Sequence, residues 1–268
     1  MNYEVNKDEE LFNFLNTKYD RKKVKVLLTN ECVLVNDKIV TKYNYLLKKS
    51  DIVTVNKYKN ELLDIIYEDK DIIVVNKKHD LLTISNQTDE VNLYSLVSEY
   101  VKRNNRKNKI FIVHRLDKET SGIVIFAKNE KIKNLLQNDW NNLAIKREYI
   151  AVVEGETKEE DTLINYLKEN ENHYVYVSKT GKKCITNYKK IKSNGKYSLL
   201  SILIKTGRKN QIRVQLKEIN HPIVGDSKYG KKDKRLYLHA YKLEIINPIN
   251  NKRMTFKTNI PDSFNLFF

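Results

Sequence analysis

The sequence predicts an α+β protein of two domains, a small N-terminal domain at residues 1–60 and a larger domain at residues 61–268. Two apolar patterns at helical spacing open the chain, and short alternating patterns typical of strands follow them. A polar stretch at residues 57–61 then predicts a linker, after which alternating strands dominate. A chain of 268 residues, 40% of them hydrophobic, is long enough to bury a core in each domain.

The N-terminal domain is predicted as a compact helix-helix-strand unit. Its first helix follows from apolar residues at helical spacing, which are Leu11, Phe14, Leu15 and Tyr19. A second short helix begins at Arg21 and brings three apolar residues to one face, which are Val24, Leu27 and Leu28. Alternation at Val33 and Val35 predicts a strand, Asn36-Asp37 predicts a turn, and residues 52–55 predict the last strand.

The larger domain is predicted to combine two helices with many strands. One helix carries the apolar residues Leu93, Leu96, Val97, Tyr100 and Val101. The other carries Ile132, Leu135 and Leu136. Strand patterns occur at residues 65–67, 72–75, 110–113, 123–127 and 198–206, and in the last of these Leu200, Ile202 and Ile204 share one face.

The net charge of the chain indicates which class of binding partner to expect. Lys and Arg number 50 against 34 Asp and Glu, giving a formal net charge of +16. Such a field attracts polyanions, and nucleic acid is the commonest of them. Because lysine is abundant throughout, part of the charge also fits an ordinary solvated surface, and composition alone leaves both interpretations open.

Several other classes are disfavoured. Cys32 and Cys184 stand alone, so no disulfide framework or zinc site is expected. The five histidines show no metal-ligand spacing, and no phosphate-binding glycine loop is present, so we expect neither a metal nor a nucleotide cofactor. Residues 1–10 are polar and no apolar run approaches about 20 residues, which predicts a cytoplasmic protein without a membrane span.

A polar loop at residues 114–122 is the strongest candidate for chemistry. Two apolar strands, residues 110–113 and 123–127, bracket it and hold Asp117 beside the cation of Arg115. Thr120 and Ser121 can bond backbone groups within the loop. A charged surface hairpin has the same pattern, so the residues alone leave a catalytic and a structural interpretation open.

The loop sequence HRLDKETSG resembles the HRLDxxTSG signature of RluA-type pseudouridine synthases at every fixed position. The resemblance implies that Asp117 is the essential catalytic residue and that Arg115 displaces the target nucleotide from its helix. It also implies a catalytic domain with a long, bent, mostly antiparallel sheet and flanking helices, with the RNA cleft across its middle.

Further segments resemble motifs of the same family in the same order. KREYIAVVEG resembles the strand that carries an active-site tyrosine, which implies that Tyr149 walls the uracil and relays the C5 proton. GRKNQIRVQL resembles the motif whose second arginine partners the catalytic carboxylate, which implies that Arg213 opposes the effect of burial and keeps Asp117 ionised. HPIVGDSKYG and RLYLHAYKL resemble landmarks that support the fold and frame the cleft. Asn210 stands where the family usually has His.

Residues 21–55 resemble the S4 RNA-binding domain, whose basic second helix and following turn face structured RNA. The resemblance implies RNA contacts in this helix from Lys22, Lys23 and Lys25. In the larger domain we expect RNA contacts from His114, Arg115 and Arg208. The alternative is a small capping domain that touches no RNA.

The resemblance implies an isomerase that converts uridine to pseudouridine without a cofactor, acting as a monomer on structured RNA. Asp117 then either attacks ribose C1′ or removes the 2′ proton, and the sequence leaves both routes open. Large-subunit (23S) ribosomal RNA is the expected substrate and transfer RNA the alternative. A different class is a non-catalytic ribosomal RNA-binding assembly factor, which would predict full rescue of a deletion by Asp117→Ala. Glycosidic hydrolysis would need a second acid, for which Glu119 is the nearest by sequence.

Overall fold

The computed structural model describes residues 1–29, 31–56, 63–85 and 91–268, except for the side chains of residues 22, 26 and 104. The chain divides into two compact units, Met1–Glu61 and Leu62–Phe268. The polar stretch interpreted as a linker, residues 57–61, lies outside the described residues. No helix in the described ranges is both long and apolar enough to cross a membrane.

The described part of the N-terminal unit contains two helices and six short strands. The helices are α1 (Leu11–Asn16) and α2 (Arg21–Thr29). The strands are β1 (Asn2–Glu4), β2 (Glu9–Glu10), β3 (Val33–Val35), β4 (Lys38–Ile39), β5 (Leu46–Leu47) and β6 (Ile52–Val55). Four of them form an antiparallel sheet in the order β1-β6-β3-β4, and β2 pairs with β5.

The predicted apolar faces form the core of this unit. From α1 and α2 the buried residues are Leu11, Phe14, Leu15, Val24, Leu27 and Leu28, and they pack against Val33, Val35, Val53 and Val55 of the sheet. Asn36 and Asp37 have φ values of 48° and 65°, a left-handed conformation that these residue types tolerate, and they connect β3 to β4. Strand β1 was not predicted, because its sequence, Asn-Tyr-Glu, carries no apolar alternation.

The larger unit has four helices and eleven strands among the described residues. The helices are α3 (Leu93–Asn104), α4 (Glu130–Asn138), α5 (Trp140–Leu143) and α6 (Gln211–Glu218), and a 3-10 helix closes the chain at Asp262–Phe267. The strands are β7 (Asp64–Glu68), β8 (Ile72–Lys77), β9 (Phe111–Ile112), β10 (Ser121–Ala127), β11 (Lys146–Glu154), β12 (Glu160–Glu169), β13 (Val175–Val177), β14 (Lys182–Ser193), β15 (Tyr197–Ile204), β16 (Leu238–Ile246) and β17 (Arg253–Lys257).

All eleven strands join one sheet, which confirms the predicted α+β class with a large, mostly antiparallel sheet. The order is β13-β12-β14-β15-β11-β16-β10-β8-β7, with β17 beside β16 and β9 beside β10. Every pair is antiparallel except β10 and β16, which are parallel. Helix α3 packs on one face of β8 and β10, and α4 packs on the other, so both faces of these central strands are buried.

The start of strand β10 differs from the prediction. Ser121 and Gly122 were assigned to the polar loop, but they belong to β10, where they pair with His239 and Ala240 of β16. The φ of Gly122 is 116°, and a Cβ at this position would lie 2.3 Å from the backbone oxygen of Ala240. Glycine therefore permits the close approach of two parallel strands directly after the candidate loop.

Candidate active site

The loop that carries Asp117 connects β9 to β10, and two buried side chains, those of Thr83 and Lys77, form hydrogen bonds with its backbone. The hydroxyl of Thr83 donates to the carbonyl of Leu116 at 2.9 Å and accepts from the Leu116 amide at 3.2 Å. The ammonium of Lys77, a fully buried residue at the end of β8, donates to the carbonyl of Lys118 at 2.9 Å. The backbone on both sides of Asp117 is therefore fixed by the sheet and its connections.

Arg213 reaches the same place from helix α6, which was not predicted as a helix. Asn210 precedes this helix with a left-handed φ of 53°, which asparagine tolerates, and its amide donates to the hydroxyl of Tyr229 at 2.9 Å. The position that departs from the family pattern is thus buried and hydrogen-bonded. The residues from Gln211 to Leu216 are all buried, so α6 lies inside the domain and presents Arg213 toward the loop.

The principal partner of Arg213 is Asp226. Nε donates to Asp226 Oδ2 at 2.8 Å and Nη2 donates to Oδ1 at 2.7 Å, which is a bidentate pair between two side chains that are 3% and 0% exposed. The carboxylate also accepts from the amides of Lys228 and Tyr229. Burial lowers the pKa of Arg213, but the hydrogen bonds and charge of Asp226 outweigh this and raise it.

Arg213 also approaches two acids of the loop, so the structure brings the predicted carboxylate and guanidinium together. Its Nη1 lies 3.7 Å from Asp117 Oδ2 and 3.5 Å from Glu119 Oε2. Burial raises the pKa of Asp117, Arg213 opposes this, and Glu119 adds to it, with a net increase above the ordinary value. The expected opposition by Arg213 is present, but it does not cancel the effect of burial.

Tyr149 stands on β11, between β15 and β16, where it pairs with Ile202 and Ala240. The register on the β16 side shifts at Glu148 and Tyr149. Burial raises the pKa of Tyr149 to about 12, with Arg147 opposing the shift. The hydroxyl is therefore protonated at neutral pH, and the ring lines the same cleft as Asp117 and Arg213.

His114 and Arg115 open the loop and differ in their surroundings. The ring of His114 stacks on Trp140 with centroids 4.7 Å apart, and its Nε2 accepts from the Ile125 amide at 3.2 Å. Burial, with a smaller effect of Arg147, lowers the pKa of His114 to about 4, so the ring is neutral at physiological pH and offers RNA no positive charge. Arg115 is exposed at the cleft edge.

These side chains surround an open cleft of about 1010 Å³. Its lining includes Asp117, Tyr149 and Arg213, with Arg115, Arg208 and Lys209 as exposed cations. The volume lies at the upper end of the ~300–1,000 Å³ found for small-molecule pockets, which leaves room for a nucleotide and part of its backbone.

The remaining predicted RNA contacts lie in the N-terminal unit. Lys23 and Lys25 are exposed on α2, and the ammonium of Lys23 stands 5.0 Å from the ring centroid of Tyr19. The side chain of Lys22 lies outside the described residues. The RNA contacts of this helix stay a prediction.

Three residues of the site were missed from the sequence. Asp226 and Arg147 lie inside segments that the motif comparison had singled out, HPIVGDSKYG and KREYIAVVEG, but their partners are distant in sequence. Lys77 ends a strand and looks like a solvated lysine, although it is fully buried. Within the described ranges, no group of three or more His, Cys, Asp or Glu side chains is arranged to hold a metal ion.

Comparison with protein families gives one match that spans more than half of the chain. The family described as RNA pseudouridylate synthase matches residues 71–218, which include Asp117, Tyr149 and Arg213. An RNA pseudouridine synthase of Mycoplasma genitalium is 34% identical over 267 residues, covering 91% of this chain and 86% of the relative. Ribosomal large subunit pseudouridine synthase D of Borreliella burgdorferi is 34% identical over 250 residues, covering 88% of this chain and 76% of the relative.

Solved structures share the fold over about three quarters of the chain. Human RNA pseudouridylate synthase domain containing 4 aligns with a TM-score of 0.64 at 19% identity, covering 75% of this chain and 90% of that one. Human RNA pseudouridylate synthase domain containing 1 aligns with a TM-score of 0.63 at 22% identity, covering 77% of this chain and 87% of that one.

Proposed function

The chain belongs to the RNA pseudouridylate synthase family, and from this membership we propose that it isomerises uridines of large-subunit ribosomal RNA. As an enzyme of this family it is an isomerase that converts uridine to pseudouridine in RNA. The proposed substrate rests on the relatives named ribosomal large subunit pseudouridine synthase D, of which the Borreliella protein is one.

The proposed mechanism rests on one observation. Arg213 Nη1 lies 3.7 Å from Asp117 Oδ2 in an open cleft that Tyr149 also lines. Asp117 is 34% exposed, so a ribose can reach its carboxylate. The carboxylate either attacks C1′ or removes the 2′ proton, and both routes need the ionised form. Its raised pKa makes the carboxylate a stronger base and nucleophile than a solvated aspartate.

Arg115 and Tyr149 keep the target nucleotide in the cleft during the reaction. A uridine within an RNA helix cannot reach Asp117, so it must leave its stack at a cost of a few kcal/mol. Arg115, exposed at the cleft edge, fills the space that the uridine leaves. The ring of Tyr149 forms a wall against which the detached uracil stays and turns, and its protonated hydroxyl relays the proton that C5 loses.

Basic residues supply RNA affinity in this proposal. Arg208 and Lys209 lie exposed at the cleft, where phosphates of the RNA backbone can bind. The N-terminal unit, whose helix α2 exposes Lys23 and Lys25, acts as an S4-like RNA-binding domain. The protein works in the cytoplasm as a monomer and needs no cofactor.

Release of tritium from RNA labelled at uridine C5 tests the function. Total RNA from a strain that lacks the protein supplies unmodified sites, and its ribosomal and transfer fractions are assayed separately. We expect release from the large-subunit fraction with the wild-type protein and none with Asp117→Asn, while Asp233→Asn, outside the cleft, retains activity. Release from transfer RNA alone would overturn the ribosomal substrate, and absence of release from every fraction would overturn the function.

A further inference from the structure

Arg147 is a buried cation in the cleft, and no acid among the described residues forms an ion pair with it. It stands on β11 and is 8% exposed, and its Nη2 donates to the carbonyl of Lys205 at 2.9 Å. Nε is buried and has no hydrogen-bond partner in the described part of the chain. None of the ion pairs found among those residues includes Arg147. A buried guanidinium with unused donors is costly, which indicates that a ligand completes its surroundings.

The guanidinium is directed into the cleft beside Tyr149. Residues two apart on a strand share one face, and both side chains line the same cavity as Asp117. Gly207 leaves room on the other side, because a Cβ there would lie 2.9 Å from Arg147 Nη1. Burial lowers the pKa of Arg147, with the opposite effect of Tyr149 smaller, as expected for a cation that lacks a counterion.

Arg147 differs from the other cations of the cleft. Arg213 is held by Asp226 in a bidentate pair and has Asp117 and Glu119 nearby. Arg115, Arg208 and Lys209 are exposed, which suits backbone phosphates that remain in water. A buried site next to the tyrosine instead suits the part of the nucleotide that enters deepest, which is the base.

We propose that Arg147 donates a hydrogen bond to a carbonyl oxygen of the target uracil and stabilises the negative charge that the base carries while it is detached. The proposal rests on the proposed function, because it assigns a role within the same reaction. When the C1′–N1 bond breaks, its electron pair stays on the uracil, and the charge spreads over N1, O2 and O4. A fixed donor at a site where charge develops gives more stabilisation in a dry pocket than in water.

The symmetry of the uracil ring lets one donor serve both ends of the reaction. Isomerisation requires the ring to turn about the axis through N3 and C6, which exchanges N1 with C5 and O2 with O4. A guanidinium that meets O2 before the turn therefore meets O4 after it. C5 then forms the bond to C1′ and gives up its proton, and N1 takes up one proton in exchange, so the base becomes neutral again and Arg147 keeps its own protons throughout.

The test compares Arg147→Met with Arg208→Met in single-turnover assays on a short synthetic RNA that carries the modified site. For Arg147→Met we expect the rate at saturating RNA to fall about 10²-fold, as for loss of one preorganised donor, with unchanged RNA affinity and salt dependence. For Arg208→Met we expect weaker binding and a salt slope smaller by about 1, the pattern of a lost phosphate contact. A weaker affinity and smaller slope for Arg147→Met would overturn the proposal, as would an unchanged rate.

A second readout separates contact with the base from a structural role. Replacing the target uridine with 2-thiouridine weakens the acceptor, so we expect it to slow the wild-type enzyme more than Arg147→Met. If 2-thiouridine slows both proteins equally, Arg147 does not contact the uracil oxygen and the proposal is overturned. If Arg147→Met fails to fold, Arg147→Lys is used, and we expect at least a tenfold loss of rate with unchanged affinity, because an ammonium lacks the planar fork. Wild-type activity in the same assay keeps any such failure distinct from failure of the proposed function.

Discussion

Asp226 holds Arg213 more closely than the catalytic candidate Asp117 does. The two hydrogen bonds to Asp226 measure 2.7 and 2.8 Å, whereas the shortest separation from Asp117 is 3.7 Å. Asp226 therefore orients and neutralises the guanidinium, and the remaining Nη1 faces the acids of the loop. Arg213 reaches the cleft already positioned, so substrate binding does not have to order it.

We expect Asp226→Asn to lower both stability and the rate of isomerisation. The amide oxygen cannot neutralise Arg213, and loss of one partner from a buried pair costs about 3–5 kcal/mol. Urea unfolding measures the free energy of unfolding, and tritium release at saturating RNA measures the rate. Glu244→Gln is the control, because Glu244 is also buried at 5% exposure but its partners Lys242 and Arg253 are 24% and 62% exposed, so water can solvate them when the charge is removed. Similar losses for both variants would contradict the role assigned to Asp226.

The charges around Asp117 predict the pH dependence of the reaction. Burial raises its pKa, Arg213 lowers it, Glu119 raises it, and Arg115 lowers it, with a net increase above 3.8. Because the reaction needs the carboxylate, the rate should rise with pH through a midpoint above 3.8. Glu119→Gln removes a like charge, so the midpoint should move to lower pH. Arg115→Gln removes an opposite charge, so it should move to higher pH.

The measurement is the single-turnover rate against pH, with RNA saturating at every pH. The two substitutions control for each other, since they change charge in opposite directions within one loop. A midpoint that stays in place in both variants, or moves in the same direction in both, would show that Asp117 does not govern the acidic limb.

The sequence predicted those parts of the fold and site that depend on local patterns. The helices containing Leu11 and Leu93 follow from apolar spacing, and the position of Asp117 follows from a continuous motif. Helix α6 was missed because its residues from Gln211 to Leu216 are all buried, so it lacks the polar face that identifies a surface helix. The pairing of Arg213 with Asp226 joins two segments through the tertiary fold, and no local pattern reveals it.

The parallel pairing of β10 with β16 predicts unequal costs for two glycine substitutions. In Gly122→Ala the new Cβ would lie 2.3 Å from the Ala240 oxygen at a φ of +116°, so conformational strain and overpacking add, at about 3 kcal/mol or more. Gly195 has a φ of +83° with nothing within 4 Å, so Gly195→Ala should cost about 1–2 kcal/mol. Urea unfolding compares them. Equal losses of stability in the two variants would mean that β10 and β16 move apart to admit the new Cβ without a cost in free energy.

The buried ammonium of Lys77 supports the backbone of the catalytic loop, and its ionisation should make stability depend on pH in the alkaline range. Its ammonium donates to the carbonyls of Lys78 at 3.1 Å, Leu81 at 2.6 Å and Lys118 at 2.9 Å. Lys77→Met keeps most of the volume but removes all three bonds, including the one to Lys118, so the loop beside Asp117 should loosen. We expect a lower rate at saturating RNA with unchanged RNA affinity, because the change lies beneath the loop and not on the RNA-facing surface.

The pH dependence of stability separates this role from simple packing. Burial, which outweighs the attraction of Asp117, lowers the pKa of Lys77 from 10.5 to about 8. Between these values the unfolded chain binds more protons at this residue than the folded one, so its contribution to stability rises with pH, by up to about 3 kcal/mol. The free energy of unfolding of the wild type minus that of Lys77→Met should therefore increase from pH 8 to pH 10.5, while the other lysines cancel in the difference. A difference that stays constant over this range would mean that the folded and unfolded chains bind the same number of protons at Lys77, so that burial does not lower its pKa and the side chain remains an ammonium up to pH 10.5.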